Sequence, residues 1–353
     1  MAKGRNCVGL DIGSSAVKLC VLKGTKRGLQ LQAFDYTQLP PETIVDGALM
    51  NSTVVVDAIS ELLGRNKIRH KETAISVSGN TVIIKKITLP LMTQEELEES
   101  IQWEAEQYIP FDIKDVFIGF ETLRPRTDQG QMDVVLVAAK KEMINDYVTV
   151  CHDAGLDPII VDVDAFSLQN MYEVNYGFHR DETVVLLDIG SSVVTMNVVS
   201  DGITIFTRDL SIGGSDITEE IQKQLNIRYE EAELYKMGGS PGAQSDEVLP
   251  QEVERIIQDK AEDMAHEIQR SLDFYAATAA SNKIDKIVVS GGTAAIPSLV
   301  RTISRISEVP AEVANPFRNV SYDERQFSPD RIQRWAPIAA ISMGLALRRT
   351  NER

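Results

Sequence analysis

The chain has 353 residues, 43% hydrophobic and 25% charged, enough for about two domains of ordinary size with buried cores. A net charge of −16 excludes an electrostatic nucleic-acid binder, which needs a basic face, and disfavours direct adsorption to an anionic bilayer. Cys7, Cys20 and Cys151 lack metal-ligand spacing and read as free thiols of a reducing compartment.

Strands open the chain. CVGLDIG (7–13) runs into SAVKLCVLKG (15–24), and LQLQAFDYTQLP (29–40) follows. VVDAISELLGRN (55–66) has helical spacing, and TAISVSG (73–79) alternates as a strand. IIKKITLPLM (83–92) is a further strand. Thr93 and Glu96 then form a capping box for an acidic helix that Pro110 closes. FIGFETLRP and MDVVLVAAKK predict two strands around the polar hairpin DQGQ, MINDYVTVCHDAG a helix, and DPIIVDVD a strand. Residues 84–163 are thus expected to form one compact βαββαβ unit set into the first half. The second half begins with three strands over 182–214. A helix starts at ITEEIQKQLN, and a polar helical stretch covers Glu230 to Ser281, broken near 238–246. KIVVSGG (286–292) predicts a buried strand and a glycine turn. Helices are expected over 296–310 and, amphipathic, over 335–349. No stretch reaches the ~20 apolar residues of a spanning helix.

One hexad occurs twice: LDIGSS stands at 10–15 and again at 187–192, each behind an apolar strand. In each copy a buried strand delivers an Asp, a glycine makes the turn, and two serines line its rim. Such a tip offers backbone N–H groups and hydroxyls to phosphate oxygens, and its Asp suits a hydrated Mg²⁺. Gly and Ser are also ordinary turn residues, but two identical hexads imply a duplicated fold with a cleft between its halves. SGGTAAIP (290–297), behind a buried strand, adds a Gly pair that lets a flat ligand approach the backbone.

This ordered set, LDIGSSAVK, LLDIGSSVV and VVSGGTA, resembles the actin-like ATPase superfamily. The insert at 84–163, together with SIGGSDITEEI, EEAELYK, NPF and GLALR, is similar to the FtsA-like branch and within it to the PilM family of type IV pilus assembly proteins. The resemblance implies an α/β, duplicated ribonuclease H-like fold. The first domain would cover 1–83, completed by about 164–180 and the helix 335–349. An FtsA-type 1C subdomain would cover 84–163. The second domain would cover 181–334, with its 2B part at about 228–275.

The resemblance also implies ATP or ADP with Mg²⁺ as cofactors, and roles for particular residues. Asp11, Gly13, Ser14, Ser15 and Lys18 would form the first phosphate turn, and Asp188, Gly190, Ser191 and Ser192 the second. Asp11 and Asp188 would lie near the metal through water. Gly213, Gly214 and Asp216 would lie near ribose and phosphates, Glu231 and Lys236 would face the nucleoside, and Gly291, Gly292, Thr293 and Ile296 would back the adenosine. Blander readings remain at this stage: Lys18 as a solvated strand residue, Glu231 and Lys236 as helix-surface charges, Asp216 as a helix cap. No catalytic residue is assigned, although Asp188 is a candidate for positioning water. Slow turnover at most is expected.

As partners the resemblance implies the N-terminal cytoplasmic peptide of PilN, held between insert and first domain, other pilus platform proteins and the motor ATPases, and self-association. The peptide would dock near the strand IIKKITLP and the acidic helix after it, at Trp103, Tyr108 and Phe111, with core packing as the alternative for these three. FtsA-like proteins carry an amphipathic membrane tail, and RRTNER is not one. The expected location is therefore cytoplasmic, peripheral on the inner membrane through partners. Two other functions stay open: a small-molecule kinase of the same superfamily, and an FtsA-like filament protein.

Overall fold

The computed structural model describes residues 4–126, 130–239, 251–278 and 283–351. Strands β1 (Val8–Ile12), β2 (Ala16–Thr25) and β3 (Gly28–Gln38) form an antiparallel meander. The small ribbon β4 (Ile44–Val45) and β5 (Ala48–Leu49) follows. Helix α1 (Ser52–Arg65) starts where the Asn51 side chain accepts the Val54 N–H, and buries Val55, Ala58, Ile59 and Leu62 on one stripe. Strand β6 (Glu72–Val77) then returns parallel to β1.

The chain next leaves this domain. Strand β7 (Val82–Pro90), helix α2 (Gln94–Glu106), β8 (Val116–Arg126) and β9 (Gln131–Lys140) make a separate three-stranded antiparallel sheet, order β7-β9-β8, covered by α2. The expected capping box is present: Thr93 and Glu96 exchange side-chain to backbone bonds. Leu97, Ile101 and Ala105 of α2 share a core with Ile87, Leu89, Val134 and Leu136. Asp128 and Gln129 of the DQGQ turn lie outside the described residues.

The unit expected over 84–163 does not stay together. Helix α3 (Lys141–Asp153) buries Met143, Tyr147, Val150 and Cys151 in the core beneath α1, not in that of α2. Strand β10 (Asp157–Val163) pairs in parallel with β6. The insert proper is therefore β7 to β9. Helix α4 (Asp164–Tyr176) follows β10.

The second half repeats the first. Strands β11 (Thr183–Ile189), β12 (Val194–Ser200) and β13 (Ile203–Leu210) form the meander. Helices α5 (Gly214–Leu225), α6 (Tyr229–Lys236) and α7 (Gln251–Thr278) pack on it. The break expected over 238–246 falls mostly outside the described residues. Strand β14 (Lys286–Ser290) lies parallel to β11, and helix α8 (Pro297–Ser307) leads to β15 (Ala311–Val313). The short β16 (Val320–Ser321) extends the first sheet beside β3, and α9 (Pro329–Trp335) and α10 (Ala340–Ala346) complete the described fold.

The sheet orders show the duplication: β10-β6-β1-β2-β3-β16 in one half, β13-β12-β11-β14-β15 in the other. Between the sheets lie α4 and α10. Their residues join strand residues of both halves in one core: Cys20 and Phe34 from the first, Leu168 and Met171 from α4, Leu186 and Val288 from the second, Leu345 from α10. Gly344 permits the close crossing of these helices, because a Cβ there would strike the Ser167 carbonyl. Among the described residues no helix is long and apolar enough to cross a membrane.

Candidate functional site

The two LDIGSS hexads fold into the same turn. Gly13 N–H donates to Ala16 O at 3.1 Å, and Gly190 N–H donates to Val193 O at 3.0 Å. Asp11 stands opposite Lys18 on the neighbouring strand, and Asp188 stands opposite Thr195. The tips meet head to head, where the Ser192 hydroxyl donates to the Ser14 hydroxyl at 2.9 Å. A cleft of about 730 Å³ opens between the two halves here. Sequence identity at the turns has become a twofold arrangement of donors around one space.

Strand β14 supplies the third wall. Gly291 follows it at φ +90, where a Cβ would strike the Ile189 backbone. Its N–H donates to Pro337 O at 2.7 Å. The Ser290 hydroxyl donates to Asp188 Oδ1 at 2.7 Å, and the Thr293 hydroxyl to Gly190 O at 2.8 Å. The glycine turn is thereby fixed to the root of the second hairpin.

Among the acidic side chains that line this cleft, Asp11, Asp164 and Asp188 stand at the ends of β1, β10 and β11 beside the two turns. Lys18 Nζ contacts Asp11 Oδ2 at 2.8 Å. Burial works against the ammonium, yet the fields of Asp11, Asp188 and Asp164 prevail and hold its pKa above the ordinary lysine value. Burial, with repulsion from Asp11, pushes Asp164 up to about 7, although Ser76 and Ser78 bond its carboxylate. Burial also pushes Asp188 up to about 6, against the opposing pull of Lys18 and Ser290. The acidic side chains of the lining outnumber its cations, Lys18, Lys236 and Arg334, a setting that favours a bound cation. Among the described residues no three His, Cys, Asp or Glu side chains form a metal cage. The donor set suits a Mg²⁺ that keeps most of its waters.

Most of the expected residues converge. Asp11, Gly13, Ser14, Ser15 and Lys18 line the cleft from one side; Asp188, Gly190, Ser191 and Ser192 from the other; Gly291, Gly292, Thr293 and Lys236 from the third. Lys236 Nζ is tied down, donating to Gly214 O at 3.1 Å and Thr218 Oγ1 at 2.8 Å beside Glu233 at 2.6 Å.

Five expected residues do not line the cleft. Gly213 and Gly214 lie behind the second turn: Gly214 N–H donates to Gly190 O at 3.0 Å, and a Cβ on Gly213 would strike the Ser191 carbonyl. Asp216 caps α5 by accepting the Gly213 N–H at 2.7 Å. Glu231 likewise accepts the Arg228 N–H at the start of α6, at 3.2 Å. Ile296 is buried in the core of the second half, and Ala295 lines the wall in its place.

Asp164, Tyr147, Tyr229, Glu233 and Arg334 line the cleft without having been singled out. Asp164 did carry a signal: it closes an apolar strand and opens a helix, as Asp11 and Asp188 close theirs at a turn. The others sit on helices whose cleft-facing side only the tertiary fold defines.

A sequence model of the type IV pilus assembly protein PilM matches residues 9–350. A solved PilM–PilN type IV pilus biogenesis complex contains a chain 28% identical to this one, with TM-score 0.86, covering 97% of this chain and 98% of that one. The cell division protein FtsA of Bacillus subtilis is 22% identical over 354 residues, covering 88% of this chain and 78% of FtsA. MreB 5 of Spiroplasma citri, solved bound to AMPPNP, shares the fold alone: TM-score 0.50 and 13% identity over 96% of this chain and 94% of that one. The fold is that of the actin-like ATPases, as the sequence implied.

Proposed function

The chain belongs to the type IV pilus assembly protein PilM family, and from that premise we propose that it binds ATP or ADP with Mg²⁺ and docks the N-terminal cytoplasmic segment of PilN. The observation that carries the nucleotide reading is the pair of matched turns meeting at Ser14 and Ser192 over one cleft. Their N–H groups and hydroxyls hold phosphate oxygens, displacing the Ser14–Ser192 bond. Lys18 offers its ammonium beside them. Gly291, Gly292 and Thr293 back the adenosine, and Lys236 braces the wall next to it. Mg²⁺ held through water by Asp11 and Asp188 supplies positive charge to the phosphates. The AMPPNP-bound MreB 5 shares this fold and supports the same ligand class.

Asp164 is the proton acceptor in this proposal. It heads α4, opens into the cleft, and has its pKa raised to about 7, close to where a general base works best. Turnover is slow, and the nucleotide chiefly sets the closure of the cleft.

For the partner, the PilM–PilN complex supplies the precedent. The groove between insert and first domain takes an extended peptide through backbone bonds and alternate side-chain pockets. Trp103 is 74% exposed and Tyr108 38% exposed, so neither belongs to the insert core, whereas Phe111 packs partly against it. The protein is held at the inner membrane through PilN, within reach of other platform proteins and the motor ATPases.

The test is a calorimetric titration with Mg-ATP, repeated with a PilN N-terminal peptide. Peptide binding whose affinity shifts with ATP, and ATP binding that shifts equally with peptide, is the expected result. ATP consumed only when a small acceptor is added, with no peptide binding, would overturn the reading in favour of a kinase.

A further inference from the structure

A row of polar residues crosses the second sheet at the level of its phosphate turn. Ser290, Asp188, Thr195 and Asp209 are successive neighbours on β14, β11, β12 and β13. Ser290 bonds Asp188, and the Thr195 hydroxyl bonds the Asp209 carboxylate. The row does not stop at the sheet edge. Asp209 Oδ2 accepts the N–H of Gly79, in the other half of the molecule, at 2.6 Å.

Gly79 occupies a decisive place in the chain. It follows β6 at φ +86, and its carbonyl accepts the Val82 N–H where β7 begins. Three residues before it, Ser76 bonds Asp164, and Ser78 does the same. Residues 76–79 thus hold a cleft carboxylate at one end and the second domain at the other, and lead directly into the first strand of the insert. Strands β7 and β13 are not packed flush beside this point. A cavity of about 240 Å³, lined by residues of both strands and by Val163 to Ala165, runs between them. Burial of the Asp209 carboxylate is costly, and the bonds from Gly79 and Thr195 are what offset that cost.

We infer that Asp209 is a positioning residue that couples the second phosphate turn to the insert, passing movement of the cleft to β7 through the Gly79 N–H. The inference rests on the nucleotide reading above and deepens it. Occupancy of the phosphate turn shifts β12 and β13 relative to the first half. The short, charge-assisted bond at Gly79 carries that shift to the strand from which the partner-binding insert hangs.

Hydrogen exchange on the full chain, with and without Mg-ATP, tests this in the wild type, Asp209→Ala and Asp209→Asn. In the wild type, Mg-ATP slows exchange over 10–16 and 187–193 and alters it over 79–90. In Asp209→Ala the segment 79–84 exchanges roughly tenfold faster without nucleotide, and its response to Mg-ATP disappears. Asn keeps an acceptor oxygen for Gly79, so Asp209→Asn restores the response, which general destabilisation would not do. An unchanged response in Asp209→Ala, or no restoration by Asn, overturns the coupling role. A wild type slowed at both turns but silent over 79–90 overturns this inference alone. A wild type with no slowing at either turn overturns the nucleotide reading and this inference with it.

Discussion

Asp164, proposed above as the proton acceptor, costs stability wherever it ionises. Its pKa in the folded chain is about 7, against 3.8 as the ordinary value. Between about pH 4 and 7 the unfolded chain releases a proton that the folded chain retains, so stability falls as pH rises through that window. Asp164→Asn removes the penalty. Without nucleotide, the variant should melt roughly 2–4 °C higher at pH 8 and show a flatter pH profile between 4 and 7; a lower melting point at pH 8 would contradict the account. Two adjacent glycines give a second residue-level prediction. Gly291→Ala meets both a positive φ and the Ile189 backbone, whereas a Cβ on Gly292 makes an ordinary 3.8 Å contact with Ile338. Urea unfolding should report a loss of about 1–3 kcal/mol for the first and under about 0.5 for the second. At this scale the sequence was most informative where chemistry is local. The two hexads and the Gly pair needed only their own neighbours to be recognised. For Asp216 the sequence leaves a ligand contact and a helix cap both open, and for Glu231 a nucleoside contact and a helix-surface charge; in the fold each accepts a backbone N–H at a helix N-terminus, a role these residue types fill equally well. Ile296 was an apolar residue beside a functional turn, and burial decided its direction. Tyr147 and Glu233 were not legible, because nothing in a helical stripe says which groove it will border.

Among the elements, helix α2 is the one whose two faces differ most in consequence. Its buried stripe builds the insert core, while Trp103 points away from that core and is 74% exposed. Trp103→Ala should therefore leave the melting temperature within about 1 °C of wild type, since exposed substitutions usually change stability by under ~0.5 kcal/mol. The same variant should weaken PilN-peptide binding roughly tenfold in a titration if the aromatic is a contact; unchanged affinity would remove α2 from the docking surface. Element existence was largely readable from periodicity, caps and glycine turns. Element membership was not. MINDYVTVCHDAG and DPIIVDVD read as a helix and a strand, and they are, but they were grouped with the insert. Parallel pairing of β10 with β6, across the whole insert, is a long-range contact for which no local pattern exists.

For the whole molecule, the core shared through α4 and α10 predicts that the two halves melt as one transition, since neither sheet keeps its inner face covered without the other. Scanning calorimetry should show one peak, and Mg-ATP at about 100-fold over its Kd should move that peak upward as one, by about 2.7 kcal/mol of added stability. Two separate peaks would mean that the common core does not bind the halves together. The duplication that the hexads announced was legible in outline; the joint that unites its halves was not, because α4 and α10 have no sequence counterpart of the turns. The same joint sets an order of events during synthesis. Strands β1, β2 and β6 leave the ribosome early, yet α10, which lies against Gly9 of β1, belongs to residues made after every strand of both sheets. At roughly 5–20 residues per second, strands β1, β2 and β6 wait on the order of 15–55 s for that helix. During that interval the second meander, built from contiguous chain, can close around its own core first. The inner face that the two halves share thus closes only once α10 has been made.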